Sequence, residues 1–128
     1  MKTELDILQM AQALAAHASA RQVVIAENIA NADTPGFKAR DLRPFTEIYQ
    51  QSPDSMQMRT TRPGHFSSFG QGSLFPVGID RTAEASPNGN SVSLEQQMTK
   101  AAELRQEYDL ALGIYTKSLA ILRKSLGR

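Results

Sequence analysis

The sequence predicts a mainly α protein in which two long terminal helices pack as a coiled-coil-like hairpin or bundle around an irregular, partly disordered middle. Three observations lead there. All six prolines and six of the eight glycines fall between Pro35 and Gly89. Both flanks lack proline and repeat apolar residues at helical spacing. The break between the first flank and the middle is the stretch Asn28-Ile29-Ala30-Asn31-Ala32-Asp33-Thr34-Pro35-Gly36-Phe37. The expected divisions are an N-terminal helix over 1–32, a turn motif and irregular segment over 33–90, and a C-terminal helix over 91–128, all in one structural unit.

The first helix starts near Glu4, with Thr3 as N-cap and Asp6 in the first turn. Ile7, Ala11, Leu14, Ala18, Ile25 and Ile29 form a narrow apolar seam, with Leu8, Ala15 and Gln22 beside it. Six alanines between Ala11 and Ala20 let another helix approach closely but bury little area. Proline lacks an N–H and pushes its predecessor out of the α region, so the helix ends at or before Thr34. Thr34-Pro35-Gly36-Phe37 fits a type II turn, with Pro35 setting φ at the second position and Gly36 supplying φ > 0 at the third. That geometry makes Gly36 the expected least replaceable residue. Asn28 and Asn31 share a face at the helix end, where their amides can bond free carbonyls or a neighbouring chain.

The middle carries turn signals throughout, among them Pro63-Gly64, Gly70-Gln71-Gly72 and Pro87-Asn88-Gly89-Asn90. Leu42–Tyr49 and Leu74–Ile79 suit a brief helix or a strand pair, and Phe66, Phe69 and Phe75 a small cluster. A segment this long without regular structure is expected to be ordered mainly by partners.

The last helix opens on Ser93-Leu94-Glu95-Gln96, a capping-box pattern, and ends at Gly127. Leu94, Met98, Ala101, Arg105, Tyr108, Leu112, Tyr115, Leu119, Leu122 and Leu126 alternate by four and three, which implies a left-handed supercoil against other helices. Arg105 is the one charge on this line and a candidate register residue. Ile114 and Ile121 add a second stripe, as expected if more than one neighbour packs here.

Composition excludes several functions. The chain has no cysteine, so neither disulfides nor thiolate chemistry are available. Net charge is +1 with no basic block, which argues against nucleic-acid binding. Glu4, Asp6, Gln9 and Gln12 interrupt any signal-peptide core, and no run approaches a membrane span, so export is expected to need no cleaved signal. His17 and His65 stand without the partners that metal or nucleophilic sites need, so no catalytic residue, cofactor or metal is assigned.

The stretch Ala26–Asp41, with its Asn-Ile-Ala-Asn-Ala-Asp-Thr-Pro-Gly-Phe-Lys core, resembles the N-terminal signature of bacterial flagellar axial proteins of the rod and hook families. Asp33, the run Lys38-Ala39-Arg40-Asp41, the short length and Asn88–Glu95 opening the last helix are similar to the FlgB family of proximal rod proteins. The resemblance also covers Thr61–Phe66. It implies a non-enzymatic structural subunit of the flagellar basal body, exported through the flagellar type III apparatus and polymerising in the periplasmic rod. Its neighbours would be FlgC, FlgF, FlgG and FliE, with the MS-ring a further candidate. Self-association in a helical array through Asn28, Ile29, Asn31, Thr34, Pro35, Gly36 and Phe37 at the turn, and through Leu94, Met98, Arg105, Tyr108, Leu112, Tyr115, Leu119 and Leu122 on the last helix, would follow. The alternatives are another short rod protein such as FlgC, or a cytoplasmic helical chaperone, which explains the heptads but not the Thr-Pro-Gly turn.

Overall fold

The computed structural model describes residues 2–51 and 75–127. Helix α1 spans Lys2–Ala30, strand β1 Arg40–Leu42, helix α2 Phe45–Gln51, strand β2 Val77–Ile79 and helix α3 Leu94–Ser125. The helical hairpin is present as predicted. Thr3, expected as the N-cap, lies inside α1.

The helices run antiparallel. Gln97 at the start of α3 meets Asn28 near the end of α1, and Leu104 packs on Ala18 and Ile25. The buried line of α3 is Gln97, Leu104 and Ala111, one residue per heptad. The predicted four-three line is therefore not the one that packs on α1. The outer members of the predicted line, Leu94, Met98, Arg105 and Leu112, lie roughly 60–100° around the helix from Gln97, and all are exposed. Alanine suits this choice: Ala11, Ala18 and Ala111 leave room for the backbones to approach, and Leu104 packs against Ala18.

A second, smaller core sits beside the hairpin, where Val24, Leu42 and Phe75 are buried with Ala20 and Ile48 against them. Antiparallel β1 and β2 pair Arg40 with Ile79, Asp41 with Gly78 and Leu42 with Val77. Pro44 precedes α2, where proline's missing N–H costs nothing and its carbonyl accepts from Glu47 and Ile48. These pieces are ordered by contacts within the chain, which corrects the expectation that partners would be needed at 37–51 and 75–90. The patch Thr61–Phe66, His65, Phe66, Phe69 and Gly70-Gln71-Gly72 lie outside the described residues.

His17 has the packing role. It is buried, Nε2–H donates to the Arg43 carbonyl at 2.8 Å, and the ring lies 5.7 Å from Phe45 and 5.0 Å from Phe75. Nδ1 is left without a hydrogen-bond partner. No group of three His, Asp or Glu residues among the described ones is placed to hold a metal ion.

Candidate assembly surface

The surface is built on the turn after α1. Phe37 N–H donates to the Thr34 carbonyl at 3.3 Å, and Gly36 has φ +75°, the type II geometry that Pro35-Gly36 predicts. The turn is then clasped by Asn88–Ser91, the segment that enters α3. Gly36 N–H donates to the Asn88 carbonyl, and Ser91 N–H to the Phe37 carbonyl, both at 3.0 Å. Ser91 Oγ accepts from Ala39 N–H at 2.8 Å, and Lys38 Nζ donates to the Gly89 carbonyl at 3.0 Å.

At the centre of the clasp is Asn90, 2% exposed. Its Nδ2 donates to the carbonyls of Asn31, Ala32 and Thr34 at 2.8, 2.9 and 2.8 Å. The Asn31 and Thr34 carbonyls also accept backbone N–H groups, from Thr34 at 3.1 Å and Phe37 at 3.3 Å, so Asn90 adds a second bond to each. Oδ1 accepts from Val92 N–H at 2.7 Å. A single side chain therefore terminates α1 and starts the approach to α3. Ser93, read as the cap of α3, makes no side-chain capping bond. The capping-box expectation is corrected: Asn90 holds the entering chain instead.

Asn28 is 1% exposed and used within the chain. Its Oδ1 accepts from Arg40 N–H at 3.0 Å and its Nδ2 donates to the Arg40 carbonyl at 2.7 Å. The side-chain amide thus pairs with β1 as a peptide group of a neighbouring strand would. Nδ2 also donates to Gln97 Oε1 at 3.1 Å, tying α1, β1 and α3 at one point. Asn31, half-buried, donates to the Glu27 carbonyl and accepts from Thr34 Oγ1.

Charge closes the same junction. Arg21 reaches Asp41 with Nε at 3.0 Å and Nη2 at 3.2 Å, and Lys100 bridges Asp41 at 3.0 Å and Asp80 at 2.8 Å. Burial alone would raise the Asp80 carboxyl, but hydrogen bonds from Lys100 and Thr82 outweigh it and hold the group at about 2. Asp41 is lowered in the same way against its burial, by Arg21 and Lys100. Lys100 is raised, since its two aspartates overcome the desolvation that would lower it. A carboxylate whose folded value lies below its unfolded one stabilises the fold at neutral pH and loses that contribution as pH falls through the folded value. Stability should therefore decline as pH falls from near the ordinary value of 3.8 to about 2. Asp80→Asn should flatten this acid limb. Urea midpoints measured across that range check it, and an unchanged acid limb in Asp80→Asn contradicts it.

The predicted interface residues fall into two groups. Thr34, Pro35 and Gly36 lie exposed at the turn, with Ile29 39% exposed beside them. Phe37 is half-buried, with the Arg40 guanidinium 5.8 Å from its ring centroid. On α3, Leu94, Met98 and Leu112 are 51, 63 and 42% exposed. Arg105 is exposed and makes no ion pair among the described residues. Tyr108 is exposed, whereas Tyr115, Leu119 and Leu122 are half-buried. The hydrogen bond between Asn28 and Gln97 joins the helices that carry the two groups. Sequence reasoning used Asp41, Asn90 and Ser91 only as parts of family-like runs, with no structural role, and passed over Gln97, Asp80 and Lys100. The one available signal was Gln97 itself, a polar residue in heptad register with Leu104 and Ala111.

The Flagella basal body rod protein family model matches residues 9–38, which span most of α1 and the whole Thr-Pro-Gly turn. The chain is 34% identical over 109 residues to the flagellar basal body rod protein FlgB of Agrobacterium fabrum, covering 83% of this chain and 81% of that protein. The chain belongs to the FlgB family of flagellar basal body rod proteins. FlgB of Aeromonas hydrophila is 30% identical over 110 residues, 84% of this chain and 83% of that protein. FlgB of Bacillus subtilis is 29% identical over 91 residues, 71% of this chain and 70% of that protein. Membership of the FlgB family makes the chain a structural subunit of the flagellar basal-body rod. No described helix is long and apolar enough to cross a membrane.

Proposed function

We propose that the chain is an axial subunit of the proximal rod that polymerises through its terminal helices and helps to form the drive shaft, with a mechanical rather than a catalytic role. The observation that carries this reading is the outward apolar line of α3. Leu94, Met98 and Leu112 follow coiled-coil spacing, yet the chain's own first helix leaves them exposed. A heptad line without an internal partner suits the helix of an adjacent subunit. Contacts of this kind that do not close produce a helical array. The clasped turn suits the same role, because it holds the exposed Thr34, Pro35 and Gly36 in one fixed direction at the end of α1. Export through the flagellar type III apparatus, residence in the periplasmic rod and contact with FlgC, FlgF, FlgG, FliE and the MS-ring belong to this reading.

Met98→Asp and Leu112→Asp test it. Each places a carboxylate on a surface that assembly must desolvate, at a cost of several kcal/mol, yet each site is open in the isolated chain. The variants should keep wild-type helicity and be exported, but be missing from isolated basal bodies. Normal incorporation and motility in either variant would remove this line from the interface.

A further inference from the structure

A second line on α3, to which Ile114 and Ile121 belong, has a pattern that the contact through Leu94, Met98 and Leu112 does not use. Glu103, Glu107, Leu110, Ile114, Lys117, Ile121 and Lys124 also alternate by four and three. Leu110 and Ile121 are 60% and 55% exposed, large aliphatic side chains that the chain itself does not cover. Glu107, Leu110 and Ile114 form part of the wall of an open groove of about 1380 Å³ between the helices and β2. The groove's opposite rim carries Val77 and Ile79, 43% and 61% exposed.

Charge along this line is polarised. Its N-terminal end is acidic and its C-terminal end basic. Over all of α3 the order is looser: Glu95, Glu103, Glu107 and Asp109 precede residue 110 together with Lys100 and Arg105, and the charges that follow it are Lys117, Arg123 and Lys124. The Lys100 charge is already engaged by Asp41 and Asp80. Glu107 feels the Arg21 guanidinium, but Arg21 is hydrogen-bonded to Asp41 rather than to Glu107.

Such a line is self-complementary in one direction only. Two copies aligned in parallel and in register would set Glu107 against Glu107 and Lys124 against Lys124. Two copies aligned antiparallel, with Leu110 opposite Ile121, set Glu107 opposite Lys124 and Ile114 opposite Lys117. By symmetry each pair occurs twice. Glu and Lys placed outside the Leu110–Ile121 pairs give the arrangement by which coiled coils choose orientation and register, while the two central pairs set Ile114 against Lys117. The methylenes of Lys117 can lie along Ile114 while the ammonium stays in water.

We propose that this face of α3 docks a second copy of the chain, antiparallel, in a closed two-chain form with Glu107 of each copy opposite Lys124 of the other. The apolar pairs supply most of the attraction, and the exposed ion pairs act on orientation and register. Because the contact is isologous, it stops at two chains. It is therefore distinct from the open contact attributed above to the Leu94–Met98–Leu112 line, and does not depend on the rod reading.

The test is sedimentation velocity of the full-length chain over a concentration series, with Glu107→Lys, Lys124→Glu and the doubly exchanged chain. Circular dichroism confirms that each variant keeps its helicity. With the open contact blocked by Met98→Asp, the chain should pass from one copy to two and no further. Each single variant should weaken association by roughly tenfold at low salt, since two like-charge contacts appear at once. The effect should shrink as salt rises. The double exchange should restore association. An equal mixture of the two single variants should pair better than either alone, because positions 107 and 124, both basic in one chain, then face the same positions, both acidic, in the other. Growth beyond two chains that persists in Met98→Asp, no association, or single variants that associate like wild type would each overturn the proposal. The Met98→Asp and Leu112→Asp basal-body experiment reads the rod function separately.

Discussion

Asn90→Asp should unfold the junction between the two terminal helices. The substitution keeps the shape of the side chain and exchanges the donor Nδ2 for an oxygen. That oxygen would face the carbonyls of Asn31, Ala32 and Thr34, all within 2.9 Å of the present nitrogen. The site is 2% exposed, so water cannot screen the opposed oxygens. An uncompensated charge in such a place costs about 3–5 kcal/mol, a large share of the roughly 5–15 kcal/mol that holds a domain together. Asn90→Ala should cost less, about 1–3 kcal/mol, because it only leaves groups unpaired. Urea unfolding followed by helical circular dichroism measures both. If Asn90→Asp is no worse than Asn90→Ala, the three carbonyl contacts do not hold the junction.

Gly89 should tolerate substitution less well than Gly36. Both have positive φ, +75° at Gly36 and +82° at Gly89. A side chain pays roughly 1–2 kcal/mol for that backbone region, and Asn less. Space separates the two sites. A Cβ on Gly36 meets nothing within 4 Å, whereas one on Gly89 lies 3.3 Å from Gly36 Cα and 3.6 Å from its N. That nitrogen is the donor to Asn88, so the clasp cannot yield without losing the bond. The turn alone points to Gly36 as the least replaceable residue, and the packed partner transfers that role to Gly89. Gly36→Asn should be nearly neutral and Gly36→Val should cost about 1–2 kcal/mol. Gly89→Val should cost about 2–4 kcal/mol, since strain and overpacking add. Urea midpoints of the three variants check the order, and basal-body incorporation shows whether the turn must survive for assembly. Gly89→Val no more costly than Gly36→Val would show that the close approach of the two glycines is not tight.

The sequence by itself determined the features that depend on neighbours along the chain. Apolar periodicity placed both helices to within a few residues, because a helix brings residues three and four apart together whatever lies around it. Pro35 and Gly36 determined where α1 stops and how the chain turns, because ring closure and the missing Cβ restrict φ locally. The Asn-Ile-Ala-Asn run and that turn were also enough to point to the family.

Only the tertiary structure decided which line of α3 faces α1, and what holds the junction. Several lines on α3 carry apolar residues, so periodicity alone cannot rank them. The alanines of α1 rank them instead, by admitting Leu104 and Ala111 at close range. Asn90 meets its carbonyls across 56 to 59 residues of chain, and Lys100 meets Asp41 across 59. No local pattern marks such pairs. Their donors and acceptors are ordinary in sequence, and become specific only when folding removes the water that would otherwise satisfy them.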